Sequence, residues 1–171
     1  MIIAVDVHYL ENKAKAAGVT FCNWDDSEPL DIISSYTDNP LEYESGLFYK
    51  RELPCILNLL QFIDISKIHT IIVDGYVCLN NEMKYGLGYY LYEHLGSKIP
   101  IIGVAKTAFH NNVAVVKVHR GKSDKPLYVS SIGIDIKDAA KNIQRMSGEY
   151  RLPKLLKLLD TKTKDWEDIN L

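Results

Sequence analysis

The hydrophobic period of this chain changes part-way along, and that change restricts the fold more than any other feature. Over the first forty residues, "IIAVDVHYL" (2–10), "AAGVTFCNW" (16–24) and "LDIISSYT" (30–37) are short, rich in β-branched and aromatic residues, and separated by the polar stretches "ENKAK" and "DDSEP". Such spacing predicts an antiparallel meander of three strands. From residue 52 to about 63 the apolar residues instead recur at helical spacing, and "HTIIVDGYV" (69–77) is a continuous apolar run of the kind that a strand buried on both faces requires. A second helix is expected over 82–95 with Gly96 at its C-terminal end, then the buried strand "IPIIGVAKT" (99–107) and the strands "NVAVVKVHR" (112–120) and "PLYVSSIGI" (126–134). Helices are expected over 134–148, ended by Gly148, and over 151–166, where Pro153 suits a first turn. The sum is a mixed α/β sheet, an antiparallel meander followed by parallel strands, flanked by helices.

A length of 171 residues with 47% hydrophobic content supports one well-buried core, so residues 1–171 are read as a single domain. The formal charge of −2 provides no bulk attraction to nucleic acid, and any such binding must use a local basic patch. Cys22, Cys55 and Cys78 stand singly, without metal-ligand spacing, which suits reduced thiols and argues against a structural zinc. An acid at position 6 interrupts the first apolar segment too early for a signal peptide, and no apolar run reaches membrane-spanning length, so a cytoplasmic protein without membrane contact is expected.

Three acids occupy unusual places. Asp6 interrupts the first apolar strand, Glu52 is expected to open the first helix, and Asp74 ends a central strand beside Gly75. A charge among apolar strand neighbours costs several kcal/mol unless something pairs with it. Carboxylates converging from separate elements would form an oxygen site for Mg²⁺ or Mn²⁺, the arrangement used for in-line phosphoryl displacement. Each acid also has a plainer role: Asp6 facing solvent, Glu52 favouring a helix dipole, Asp74 in an ordinary turn. Spacing alone leaves both sets of roles open.

Several segments resemble the motifs of the endonuclease V family, in order along nearly the whole chain. "AVDVHY" resembles its first-strand motif, "YESGLFYKRELP" (43–54) its wedge-to-glutamate motif, and "VDGYV" its Asp-Gly motif. "IPIIGVAKT" resembles the strand ending in Gly-Val-Ala-Lys, and "PLYVSSIG" and "YRLPKLLKLLD" resemble the last strand and the C-terminal segment. The resemblance implies a ribonuclease H-like fold and a metal-dependent endonuclease that cuts one bond beyond the 3′ side of a deaminated purine, inosine, in DNA or RNA. It further implies Asp6, Glu52 and Asp74 as ligands of Mg²⁺ or Mn²⁺, and Lys106 as the active-site lysine. Tyr43 falls in the slot of the base-displacing wedge, where an aromatic ring can stack, and Gly46 and Gly75 on backbone lining the pocket of a flipped base. Lys50 and Arg51 stand where phosphates would be gripped, and Leu87 and Phe109 are either pocket walls or core.

The chain departs from the family pattern at several points. Glu44 and Ser45 replace the Ile-Pro of the wedge, placing a negative charge where phosphates would pass. Asn80 or Asn81 stands where a histidine is usual, and Ile134 follows Gly133 where the family has another. Asp135 is either a fourth metal ligand or the N-cap of the following helix. His8 shares a strand face with Asp6, and Tyr76, Tyr85, Tyr89, Tyr90 and Tyr92 crowd the region after Asp74, suiting either base stacking or core packing. Besides the inosine endonuclease, these residues accommodate a metal-dependent nuclease without lesion specificity and a non-catalytic nucleic-acid binder.

Overall fold

A computed structural model describes residues 1–42, 44, 47–79, 84–109 and 114–166. Seven strands form one sheet in the order β3-β2-β1-β4-β5-β7-β6. They are β1 (Ile2–Leu10), β2 (Lys13–Phe21), β3 (Asp31–Asp38), β4 (Thr70–Asp74), β5 (Ile101–Ala105), β6 (Val116–Val118) and β7 (Leu127–Ile132). The meander β1-β2-β3 is antiparallel, β1, β4 and β5 run parallel, and β7 and β6 return antiparallel at the far edge. Helices α1 (Phe48–Leu60) and α2 (Leu87–His94) cover one face, and α3 (Ile136–Arg145) and α4 (Lys154–Lys164) the other.

Strand parity divides the core between these two layers. On β1, Ile2 and Ala4 pack beneath α3 and α4, whereas Ile3, Val5 and Val7 pack beneath α1 and α2. On β4 and β5 the even-numbered Ile72, Ile102 and Val104 likewise face the α3–α4 layer. No helix among the described residues is long and apolar enough to cross a membrane.

Several expected boundaries shift. Strand β2 begins at Lys13, inside the stretch read as a turn, because Glu11 adopts a positive φ of 51° and reverses the chain in two residues. Lys15 thereby enters the sheet, 2% exposed, with its ammonium donating to the carbonyl of Asp165. Helix α1 begins at Phe48, a full turn before Glu52, so Glu52 does not open it. The turn-like bonds Leu47 N–H to Glu44 O and Lys50 N–H to Leu47 O, each 3.0 Å, start the helix without a side-chain cap, and Pro54 lies inside it. Helix α2 starts at Leu87 rather than 82, and residue 82 lies outside the described residues. Its end is as expected: Gly96, at φ 69°, donates to Glu93 O, and Ser97 N–H reaches back to Tyr92 O at 3.0 Å. Only Val116–Val118 of the strand expected over 112–120 pairs among the described residues. Helix α3 ends at Arg145, three residues before Gly148.

Candidate active site

The parity of the strands places the candidate residues. Asp6 follows Ile2 and Ala4, Asp74 follows Ile72, and Lys106 follows Ile102 and Val104, so all three belong to the sheet face covered by α4. The parallel register pairs Ala4 with Ile72 and Val5 with Val73. It pairs Asp74 with Val104 on the other side. Asp6, midway along β1, Asp74 at the end of β4 and Lys106 just past β5 therefore sit side by side on neighbouring parallel strands, level with the C-terminal ends of β4 and β5, where open α/β sheets hold their ligands. Glu52 approaches from the opposite layer, on the buried side of α1 with Leu53, Cys55 and Ile56.

Asp6 is fixed by two donors. Val7 N–H reaches Oδ1 at 2.8 Å and the Thr163 hydroxyl reaches Oδ2 at 3.1 Å. Burial, and after it the charge of Asp74, nevertheless push its pKa up to about 6. Glu52 is more extreme. It is 5% exposed, makes no hydrogen bond or ion pair among the described residues, and is held well above the usual carboxylate range by burial, then by Asp6 and Asp74. Two mutually repelling carboxylates in a dry site are a destabilising arrangement for the protein alone.

Lys106 supplies the local cation. Its Nζ lies 3.2 Å from Asp74 Oδ2 and 3.1 Å from Asp160 Oδ1. Burial disfavours the ammonium, but Asp74 and Asp160 outweigh it and the pKa is raised. Asp160, on α4, was not singled out by the sequence reading. Burial raises its carboxyl, yet the bonds from Lys164 (2.9 Å) and Lys106 pull it down to about 2. The signal in the sequence is its place on the inward stripe formed by Leu155, Leu156, Leu159 and Thr163, where an acid needs a partner. Backbone clamps hold Lys106 as well: the Arg151 guanidinium donates to the carbonyls of Lys106 and Pro126.

A cleft of about 410 Å³ opens from Asp74 and Lys106, lined by Glu52, Gly75, Leu87 and Phe109 among others. Gly75 is at φ 151° with open space where a side chain would project. Leu87, which also packs in the core, and Phe109 thus both contribute to the wall. Tyr76 braces it: its hydroxyl donates to Thr107 O and accepts from Phe109 N–H at 3.1 Å. Tyr49 and Tyr90 stack at 3.6 Å, as do Tyr85 and Tyr89, so these rings are spent largely on one another.

Other expected roles divide. Tyr43, Gly46, Ser45, Asn80 and Asn81 lie outside the described residues. Glu44 is paired with Lys50 at 3.7 Å, and the Arg51 guanidinium lies 3.6 Å from the centre of the Tyr9 ring, so in this state neither base is a free phosphate clamp. Asp135 caps α3, accepting from Lys137 N–H at 2.8 Å and Asp138 N–H at 3.3 Å. His8 accepts from the Trp166 indole at 3.2 Å, on the side of the sheet where α4 ends.

Asp6, Glu52 and Asp74 offer carboxylate oxygens, the donor type that suits a hard divalent cation, and such a cation would offset the cost of ionising Glu52 in its buried place. As the side chains stand, no three His, Cys, Asp or Glu among the described residues converge tightly enough to grip one ion. Asp74 and Asp160 are gathered around the ammonium of Lys106 instead.

An endonuclease from Pyrococcus horikoshii named endonuclease V is 32% identical over 167 residues, covering 95% of this chain and 72% of that protein. One of the same name from Trichormus variabilis is 28% identical over 166 residues, covering 84% and 72%. Among solved structures, Bacillus subtilis endonuclease V is similar with a TM-score of 0.79 at 20% identity, over 95% of this chain and 78% of that one. Ciona intestinalis endonuclease V, in complex with a 24mer DNA containing an inosine followed by a ribo-adenosine, has a TM-score of 0.79 at 18% identity, over 95% and 84%. These neighbours share the ribonuclease H-like fold, and the mixed sheet with helices on both faces is that fold here. The family model for endonuclease V matches residues 1–124, which hold Asp6, Glu52, Asp74 and Lys106, and the chain belongs to the endonuclease V family.

Proposed function

We propose that this protein is a divalent-metal-dependent endonuclease that hydrolyses a phosphodiester bond on the 3′ side of inosine in DNA or RNA, a nucleic-acid repair activity. The observation that supports this reading is the electrostatic influence of Asp6 and Asp74 on Glu52, which is buried on α1 beside a cleft that Asp74 and Lys106 also line. Asp6, Glu52 and Asp74 are the residues that would hold Mg²⁺ or Mn²⁺. When bound, such a cation lowers the pKa of water and offsets the charge that develops on the phosphoryl oxygens.

The chain's own residues do the rest. Asp6 ligates as the carboxylate, so a cation binding there displaces the proton that burial and the charge of Asp74 favour. Lys106 can release Asp74 to a cation and place its ammonium against a non-bridging phosphate oxygen, where charge grows during in-line displacement. The cleft beyond Asp74 and Gly75, lined by Leu87 and Phe109, gives a flat aromatic base a place to enter.

The exposed carboxylate of Glu44, within the wedge segment, supports a second reading in which the same metal chemistry acts without inosine specificity. One cleavage panel separates the two. Oligonucleotides with inosine, uracil, a mismatch or no lesion, as DNA and as RNA, are incubated with Mg²⁺ or Mn²⁺. Preferential cutting 3′ to inosine, lost in Asp74→Asn, is expected; equal rates on undamaged strands would establish the second reading, and cutting by Asp74→Asn would remove the carboxylate assignment.

A further inference from the structure

Thr163 is wholly buried on α4, 0% exposed, and its hydroxyl has three oxygen neighbours. Asp6 Oδ2 and Leu159 O each lie at 3.1 Å, and Asp160 O lies at 3.2 Å. A hydroxyl carries one proton, and both carbonyls can only accept, so the three oxygens compete for it. An ionised carboxylate is the strongest acceptor of the three. A threonine within a helix satisfies itself by bonding the carbonyl four residues back, as Thr161 does with Lys157 O at 3.0 Å on the exposed side of the same helix. Burial of Thr163 needs no more than that. The contact with Asp6, 157 residues away in the chain, is therefore an additional function of this side chain.

That contact completes the constraint on Asp6. Val7 N–H belongs to the strand itself and fixes only Oδ1. A donor on Oδ2 from another element stops rotation of the carboxylate about its own axis and spends one lone pair on each oxygen, leaving the others for a ligand. The next turn back along α4 carries Asp160, which holds Lys106, so one helix sets both the first-strand acid and the lysine.

We infer that Thr163 is a positioning residue for Asp6, orienting its carboxylate for the divalent cation from a helix outside the strand ends. The inference rests on the reading of Asp6 as a metal ligand. Its test is Mn²⁺ titration calorimetry on the full chain, with thermal unfolding and single-turnover cleavage of an inosine oligonucleotide measured alongside. The variants are Thr163→Val and Thr163→Ala, which lack the hydroxyl, and Thr163→Ser, which keeps it. Loss of an outer hydrogen-bond partner costs metal affinity about 10- to 100-fold. That loss is expected for valine and alanine, with a parallel fall in the cleavage rate, whereas serine stays within about threefold of the parent.

Mn²⁺ affinity in the valine or alanine variant within about twofold of the parent, with only the melting temperature lowered, makes the hydroxyl a packing and helix feature and overturns the inference. So does a serine variant as impaired as alanine. The alanine and serine pair differ by the hydroxyl alone, which keeps the comparison decisive if valine does not fold. If the parent chain binds no Mn²⁺ and Asp6→Asn changes nothing, the metal reading itself fails and takes the inference with it.

Discussion

The ammonium of Lys106 lies 3.2 Å from the Asp74 carboxylate, so one expected catalytic residue occupies the partner of another. A cation entering at Asp74 must compete with that ammonium. Replacing Lys106 by methionine removes the competitor and the phosphate contact together, and the two effects have opposite signs. We expect Mn²⁺ affinity unchanged or higher, with kcat lowered by about 100-fold, the scale for loss of one charge-stabilising donor. Calorimetry and single-turnover cleavage measure them separately. A parallel fall in both would make Lys106 a scaffold for Asp74 instead.

Glu52 is buried, and burial, Asp6 and Asp74 outweigh the favourable charge of Arg51, which predicts a trade between stability and activity. In a chelator at pH 8, Glu52→Gln removes a carboxyl whose ionised form is opposed by burial and by Asp6 and Asp74, and should stabilise the protein by about 1 kcal/mol or more, read as a higher urea midpoint. The same variant should lose cleavage. A lower midpoint would mean that the carboxylate has a stabilising partner in the folded protein.

Asp6 gives the pH dependence a definite sign. Its carboxyl is raised from 3.8 to about 6, so between these values the folded state binds more protons than the unfolded state. Stability of the metal-free protein from this group is then full below about pH 4 and is lost as pH rises through 6, by ~3 kcal/mol in total. Unfolding in chelator at a series of pH values should show the decline, and Asp6→Asn should reduce it, leaving the part of the same sign that Glu52 contributes. Asp160 acts oppositely: with its carboxyl lowered to about 2, its stabilising contribution is present above the unfolded value of 3.8 and is lost as pH falls through 2.

Much of this site is legible from strand parity. An acid two residues after Ala4, an acid two residues after Ile72 and a lysine two residues after Val104 must share a face once β1, β4 and β5 are parallel neighbours. The meander, the parallel centre and the α4 helix follow from hydrophobic period, and the fold matches the expectation. Two things were hidden. Asp160 is flanked by Lys157 and Lys164 at helical spacing, a pattern that reads as solvated surface pairs, whereas one of its cationic partners comes from β5's end. The start of α1 was hidden by Pro54, whose usual place is a first turn, while here a complete uncapped turn precedes Glu52. That shift moves Glu52 from a helix mouth to a buried face, which is why burial is the largest influence on its carboxyl.

Gly103 tests how tightly the strand ends are set. A Cβ at this position would stand 2.6 Å from Gly75 O and 2.6 Å from Ser130 Oγ, the same hydroxyl that accepts from Val77 N–H at 3.0 Å. The chain leaving β4 through Asp74 and Gly75 therefore crosses β5 at a distance only glycine allows. Backbone cannot rotate aside as a side chain can, so Gly103→Ala should cost about 1–3 kcal/mol. It should also displace the Asp74 turn and lower cleavage beyond what the stability loss explains. Gly96→Ala serves as the comparison, since nothing lies within 4 Å of its Cβ and only its φ of 69° is unfavourable. That variant should lose about 1 kcal/mol and retain full cleavage at a temperature where both proteins are folded. Equal melting temperatures and equal rates for Gly103→Ala and the parent would show that β4 can withdraw from β5 without disturbing Asp74.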